Sequence, residues 1–100
     1  MSAAVDVKYY VGDIGTKLVV STGNNLTSAT TRDLLIQKPS GTIETWAGTQ
    51  DPLDNTRIVY TVQAGDFDEI GRYKLQAYVV FASGSWRGNT AYFTVSEPFK

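Results

Sequence analysis

The sequence predicts an all-β fold, a sandwich of two antiparallel sheets made of about seven short strands. Three observations lead there. Apolar and polar residues alternate with a period of two along nearly the whole chain, and no stretch sustains a helical 3.6-residue period. Clusters of Gly, Pro, Asn, Asp and Ser interrupt the alternation roughly every 8–12 residues, the spacing of a sandwich. Hydrophobic residues make up 42% and charged residues 19%, which is globular material and too apolar for disorder. One hundred residues allow a single domain, spanning 1–100.

The elements follow in order. Val5, Val7, Tyr9 and Val11 alternate with Asp6, Lys8 and Tyr10 and read as a first strand. Gly12-Asp13-Ile14-Gly15 turns the chain into a second strand, Thr16 to Thr22, with Leu18 and Val20 on one face. The polar loop Asn24 to Thr30 holds one apolar residue, Leu26, expected to tuck under the sandwich edge. Arg32 to Lys38 and Thr42 to Ala47 form a hairpin around Pro39-Ser40-Gly41, where proline presets φ and glycine accepts a positive one. Gly48 to Asn55 is a turn-rich loop containing Pro52. Arg57 to Val62 is the fifth strand, with Ile58, Tyr60 and Val62 on one side.

Ala64 to Gly71 has the spacing of one helical turn, with Phe67 and Ile70 three apart and facing the core. Arg72 to Phe81 is the longest strand. Its apolar face is Tyr73, Leu75, Ala77, Val79 and Phe81. Ala82 to Ser85 turns the chain into a last strand, Trp86 to Val95, and Pro98 ends pairing because it has no N–H to donate. Gly71-Arg72-Tyr73 at the start of the penultimate strand has the spacing of a tyrosine corner, and Leu75 stands where antibody domains carry their second cysteine. The sandwich is therefore of immunoglobulin-like type. It has no Cys, hence no disulfide, and must hold its sheets by packing alone.

The composition also limits the chemistry. With neither His nor Cys, the usual routes to nucleophilic and acid–base catalysis are missing, and an enzyme is not expected. The formal net charge of −1, with Lys and Arg scattered singly, argues against nucleic acid or an anionic membrane as a partner. Nothing approaches the apolar length of a membrane span, and Met1 to Asp6 lacks the pattern of a secretory signal. A chain made in a cytoplasm and remaining soluble is expected.

Asp66, Asp68 and Glu69 crowd one loop and Asp51 and Asp54 another, which raises the question of calcium. Turn and cap roles are the preferred reading, because no EF-hand-like spacing is present, and no cofactor or metal is expected. Asn25-Leu26-Thr27 fits the glycosylation pattern and is read as coincidence. The aromatics Trp46, Tyr78, Trp86 and Tyr92 are of more interest. With Tyr73, Leu75, Val79, Phe81, Phe93 and Val95 filling the core, Tyr78, Val80, Tyr92 and Trp86 are expected on the opposite face, as a partner surface, as ordinary cross-strand aromatic pairing on a half-buried sheet, or as a sugar-stacking platform, in that order of preference. Phe99, beyond Pro98, is either frayed or docked on a neighbour. Tyr78, Trp86, Tyr92 and Phe99 are thus the candidate interface residues.

Four segments carry a resemblance: Lys38-Pro39-Ser40-Gly41-Thr42, Tyr60 to Phe67, Gly71 to Val79, and Gly84-Ser85-Trp86-Arg87. Together they resemble small immunoglobulin-like structural proteins of tailed bacteriophages, and are similar in particular to the N-terminal domain of phage baseplate upper proteins. Ser40 stands where an aspartate is usual in that pattern. The resemblance runs from about Val11 onward and is one of turns and core positions, so no catalytic or binding residue carries over. It implies a virion component (capsid decoration, neck, tail or baseplate), repeated in many symmetric copies and held by contacts with other virion proteins. Since the larger baseplate proteins continue into further domains, it favours a small stand-alone part. The alternative is a carbohydrate-binding or adhesion module that attaches the particle to host glycans.

Overall fold

The computed structural model of the chain describes residues 9–99, and among them there is no helix. Nine strands follow one another: β1 (Tyr9–Tyr10), β2 (Lys17–Ser21), β3 (Thr31–Gln37), β4 (Ile43–Ala47), β5 (Thr49–Asp51), β6 (Asp54–Thr61), β7 (Gly71–Phe81), β8 (Gly84–Arg87) and β9 (Ala91–Ser96). The larger sheet has the order β1-β9-β7-β3-β4, with β8 also paired to β7, and the smaller has the order β2-β6-β5. Only the short β1–β9 pairing is parallel. The expected immunoglobulin-like sandwich is the observed fold.

Alternation decides which residues meet. Along β7 the odd positions Tyr73, Leu75, Ala77 and Val79 are buried, and Leu34 and Ile36 of β3 face the same interior. Leu18 and Val20 of β2 and Ile58 of β6 close over them from the small sheet, and Leu26 is fully buried beneath the edge, as expected. Phe67 enters from the loop after β6 and fills the space between the layers. Its ring centroid lies 5.6 Å from those of Tyr9 and Phe93 and 5.9 Å from that of Tyr73, while Tyr73 and Phe93 stack at 5.0 Å. Such pairs contribute ~0.5–1.5 kcal/mol each beyond area burial. A few of them match the ~2–4 kcal/mol of a disulfide, which this chain lacks.

The tyrosine corner is present. Tyr73 Oη donates to the carbonyl of Glu69 (3.0 Å) and accepts from the Glu69 amide (3.2 Å), so one hydroxyl satisfies both backbone groups of a residue in the crossover.

The structure corrects several local expectations. The loop expected from Gly48 to Asn55 contains β5, because the chain does not stop after β4 but passes from the large sheet to the small one at Gly48. A Cβ there would lie 2.4 Å from Ile58 Cγ2, so only glycine lets the strand cross so close. β6 accordingly starts at Asp54 rather than Arg57. Ala64 to Phe67 form a turn and not a helical one, which buries Phe67 but leaves Ile70 exposed. The expected last strand is divided into β8 and β9. Tyr78 pairs with Arg87 and Leu75 with Ala91, so Gln76 and Ala77 are opposed by three residues, Gly88, Asn89 and Thr90. That bulge shifts the alternation by one and changes which side chains share a face. Of the expected first strand, Val5 to Lys8 lie outside the described residues, while Tyr9 joins the core.

Candidate interaction surface

Three of the segments that carry the phage resemblance, Lys38 to Thr42, Tyr60 to Phe67 and the start of Gly71 to Val79, meet at one corner, while Gly84 to Arg87 lies at the other end of β7. Gly41, at φ 94°, closes the β3–β4 hairpin with its amide on the Lys38 carbonyl (2.8 Å). Lys38 continues the inward parity of Leu34 and Ile36, so its side chain runs into the interior and is only 2% exposed. Its Nζ lies 2.7 Å from Asp68 Oδ1 and 3.2 Å from Glu44 Oε2 and donates to the Gly65 carbonyl (3.3 Å). Burial pushes the Lys38 pKa down, but hydrogen bonds and charge from Asp68 and Glu44 outweigh it and hold the net value above that of a free lysine.

The same turn docks on the loop before β7. Glu69 accepts from the Ser40 amide (2.9 Å) and hydroxyl (2.8 Å). Gly71, at φ 132°, lies under Pro39, whose Cγ would be 2.9 Å from any Cβ at that position. Ser40, the departure from the usual aspartate, thus donates to a carboxylate where an aspartate would repel it.

The outer face of the large sheet carries two of the candidate residues. Tyr78 on β7 lies between Asp33 of β3 and Arg87 of β8, and the Arg87 guanidinium is 5.0 Å from its ring centre. Tyr92 on β9 lies opposite Lys74, with the Arg72 guanidinium 4.0 Å over its ring. Tyr92 is exposed and Tyr78 half-buried. Between this pair and the β4 edge runs a shallow trough of about 230 Å³ lined by Leu35, Gln37, Ile43, Lys74, Gln76 and Thr90.

Trp86 lies elsewhere. Its cross-strand partner is Val79, a core position, so the bulge after β8 places the indole on the core-facing side and not beside the tyrosines. The β7–β8 hairpin continues past the small sheet, which leaves Trp86 53% exposed and edge-on to Phe81 at 5.8 Å. Across from it, Asn24 and Asn25 complete a recess of about 410 Å³ with Val79, Phe81 and Ser83. Phe99 stands fully exposed after Pro98, at φ 68°. The four candidates therefore occupy three places. Trp46 is core: it stacks on Tyr60 at 5.1 Å and donates its indole N–H to Glu44 (3.0 Å).

Every acidic residue weighed for calcium has a local partner. Asp66 accepts from the Tyr60 hydroxyl and the Gln63 amide, Asp68 pairs with Lys38, and Glu69 holds Ser40. Burial, then the Asp66 carboxylate, raises the Tyr60 pKa well above that of a free phenol. Asp51 caps the Leu53 amide. Asp54 accepts from the Thr56 hydroxyl and amide, and these bonds lower its pKa. Among the described residues no three His, Cys, Asp or Glu converge as metal ligands, and no helix is long and apolar enough to cross a membrane.

Sequence reasoning missed the buried Lys38. The signal was available, since Leu34, Ile36 and Lys38 share one parity and Glu44 and Trp46 share that of the facing strand.

No protein-family model and no curated protein matches the chain. Among solved structures it is similar to CopC from Methylosinus trichosporium OB3b, with a TM-score of 0.62 over 93% of this chain and 87% of that one. At 14% identity the likeness is one of fold.

Proposed function

We propose that the chain is a structural component of a bacteriophage particle, non-enzymatic, present in many symmetric copies and held by protein–protein contacts. The observation that carries this reading is the corner around Lys38. Three of the segments resembling phage proteins meet there, Lys38 reaching the Gly65 carbonyl and Pro39 packing over Gly71 some thirty residues on, while Asp68 and Glu69, in the gap between two of them, hold Lys38 and Ser40. The outer face supports it as well, because Tyr and Arg held against one another are the side chains that dominate protein interfaces. Replacing Tyr78 and Tyr92 together with Ser tests the reading in competition with the unaltered chain. The expected result is a folded variant, normal by near-UV circular dichroism, that is depleted from purified particles. Equal incorporation removes the outer face as the contact surface, and absence of the unaltered chain from particles removes the virion role.

A second reading has one observation of its own. The recess at the open end sets an exposed indole, Trp86, opposite two asparagines, an arrangement suited to stacking and hydrogen bonding with a sugar of the host surface. Tryptophan fluorescence titrated with bacterial surface polysaccharides should then change in the unaltered chain and not in Trp86→Ala. A flat response across the panel counts against it.

A further inference from the structure

The described edges of the two sheets are not alike. β5 is three residues long with a register shift at Asp51 next to Pro52, β2 carries Lys17, and β8 is four residues long, carries Arg87 and ends in the bulge at 88–90. Short length, irregular register, proline and lysine are the devices that keep a strand from adding to another chain. β4 has none of these, and the one protective device it does carry, the inward-pointing charge of Glu44, is already paired with Lys38. Its outward side chains are Ile43, Thr45 and Ala47, all exposed, with Ile43 at 71%, and its one charge, Glu44, points inward to Lys38.

The hydrogen bonding of β4 shows which backbone groups are free. Lys38 bonds to Thr42 and Gly48 to Arg32, so residues 42, 44, 46 and 48 face β3. The N–H and C=O groups of Ile43, Thr45 and Ala47 therefore point away from the sheet and have no partner among the described residues. Gly48 then carries the chain off to the small sheet, so the ladder available to a partner is Ile43–Ala47.

From this we infer that β4 is the edge through which two copies of the chain join, antiparallel, about a twofold axis through Thr45. Only this register engages all five residues in both copies. It opposes Thr45 to Thr45, Ile43 to Ala47 and Glu44 to Trp46 of the second copy, forming about six backbone hydrogen bonds, two for each closely spaced pair. The register two residues one way sets Glu44 against Glu44, and two residues the other way drives Gly48 and its kink into the ladder. Like charges directly opposite are unfavourable. Charge and strand length thus select one pairing, which also brings the Ile43 side of each outer trough against Ala47 of the other copy. The inference goes beyond the virion reading and holds whether or not the chain belongs to a particle.

The test uses the full chain. Sedimentation from low micromolar to millimolar concentration should show a monomer–dimer equilibrium, and amide exchange at Ile43, Thr45 and Ala47 should slow with concentration by about tenfold or more. Ile43→Lys, which touches no core contact, should weaken association at least about tenfold while the monomer stays folded. The chain contains no Cys, so a single Thr45→Cys reports the axis directly. Its two Cα atoms would lie about 5.5 Å apart, within disulfide reach. It should oxidise to a covalent dimer about tenfold faster than Ser85→Cys, placed on an exposed strand away from β4. Equal oxidation rates overturn the register. A chain that stays monomeric, with those three amides open at every concentration, overturns self-pairing and leaves the edge to a different protein.

Discussion

The buried Lys38 makes an asymmetric prediction. The ammonium is 2% exposed, but its carboxylate partners are at the rim, with Glu44 37% and Asp68 54% exposed. Removing the cation by Lys38→Met leaves two carboxylates that water can reach, one carbonyl with a lost donor, and a methionine of similar length along the same path. The cost should be about 1 kcal/mol. Removing the anions by Glu44→Gln with Asp68→Asn keeps both shapes, including the acceptor for the Trp46 indole, but strands a positive charge in the interior. Breaking a buried pair from one side costs ~3–5 kcal/mol, and the low end applies because the carboxylates are already part-solvated. Against a total of ~5–15 kcal/mol for a domain of this size, about 3 kcal/mol is a large share. Urea unfolding followed by tryptophan fluorescence reads the difference. With a slope of ~1–2 kcal/mol per molar, the double carboxamide should lose about 1.5–3 M of midpoint, and Lys38→Met about 0.5–1 M. If the double carboxamide proves as stable as Lys38→Met, or more so, the cluster is not a compensated buried charge and the reasoning fails.

Further predictions follow from the same contacts. Tyr73→Phe keeps the ring packing but strips the Glu69 amide and carbonyl of their partner, and should cost about 2 kcal/mol in urea unfolding at an unchanged slope. Gly48→Ala drives a methyl group to 2.4 Å from Ile58 Cγ2 and should cost about 1–3 kcal/mol by thermal melting, with the loss concentrated where β4 passes into β5. Alkaline pH should destabilise the fold. Burial raises the pKa values of Tyr9, Tyr60 and Tyr73, and the carboxylates raise that of Lys38 against its burial, so each proton is held more tightly in the folded state. The stability these groups contribute is complete below pH ~10 and is lost as pH rises through their folded-state values, which a urea midpoint measured at successive pH values would show.

The layered architecture was legible because alternation is local. Leu18 and Val20, Leu34 and Ile36, and Tyr73 through Val79 each declare a buried face within a few residues, and the tyrosine corner needs only Gly71 and Tyr73 at the right place. What failed depends on distant partners. The sheet switch at Gly48 is dictated by Ile58, ten residues on, and nothing in the local loop composition announces it. The bulge at 88–90 is defined only against Gln76 and Ala77, so a strand read as continuous put Trp86 on the wrong side. Tyr78 and Tyr92 could be placed on one face from parity alone, whereas the arginines that cover them come from pairing that the sequence does not display. Lys38 was passed over because lysine is rarely buried, and its two counter-charges lie 6 and 30 residues away.

The proposed function requires that this domain be built into a phage particle. Quantitative mass spectrometry of phage particles purified from a lysate that contains the chain tests that most directly. The account predicts the chain in every preparation, at a copy number that is a fixed multiple of the particle's symmetry. A chain plentiful in the lysate and missing from the purified particles would contradict it.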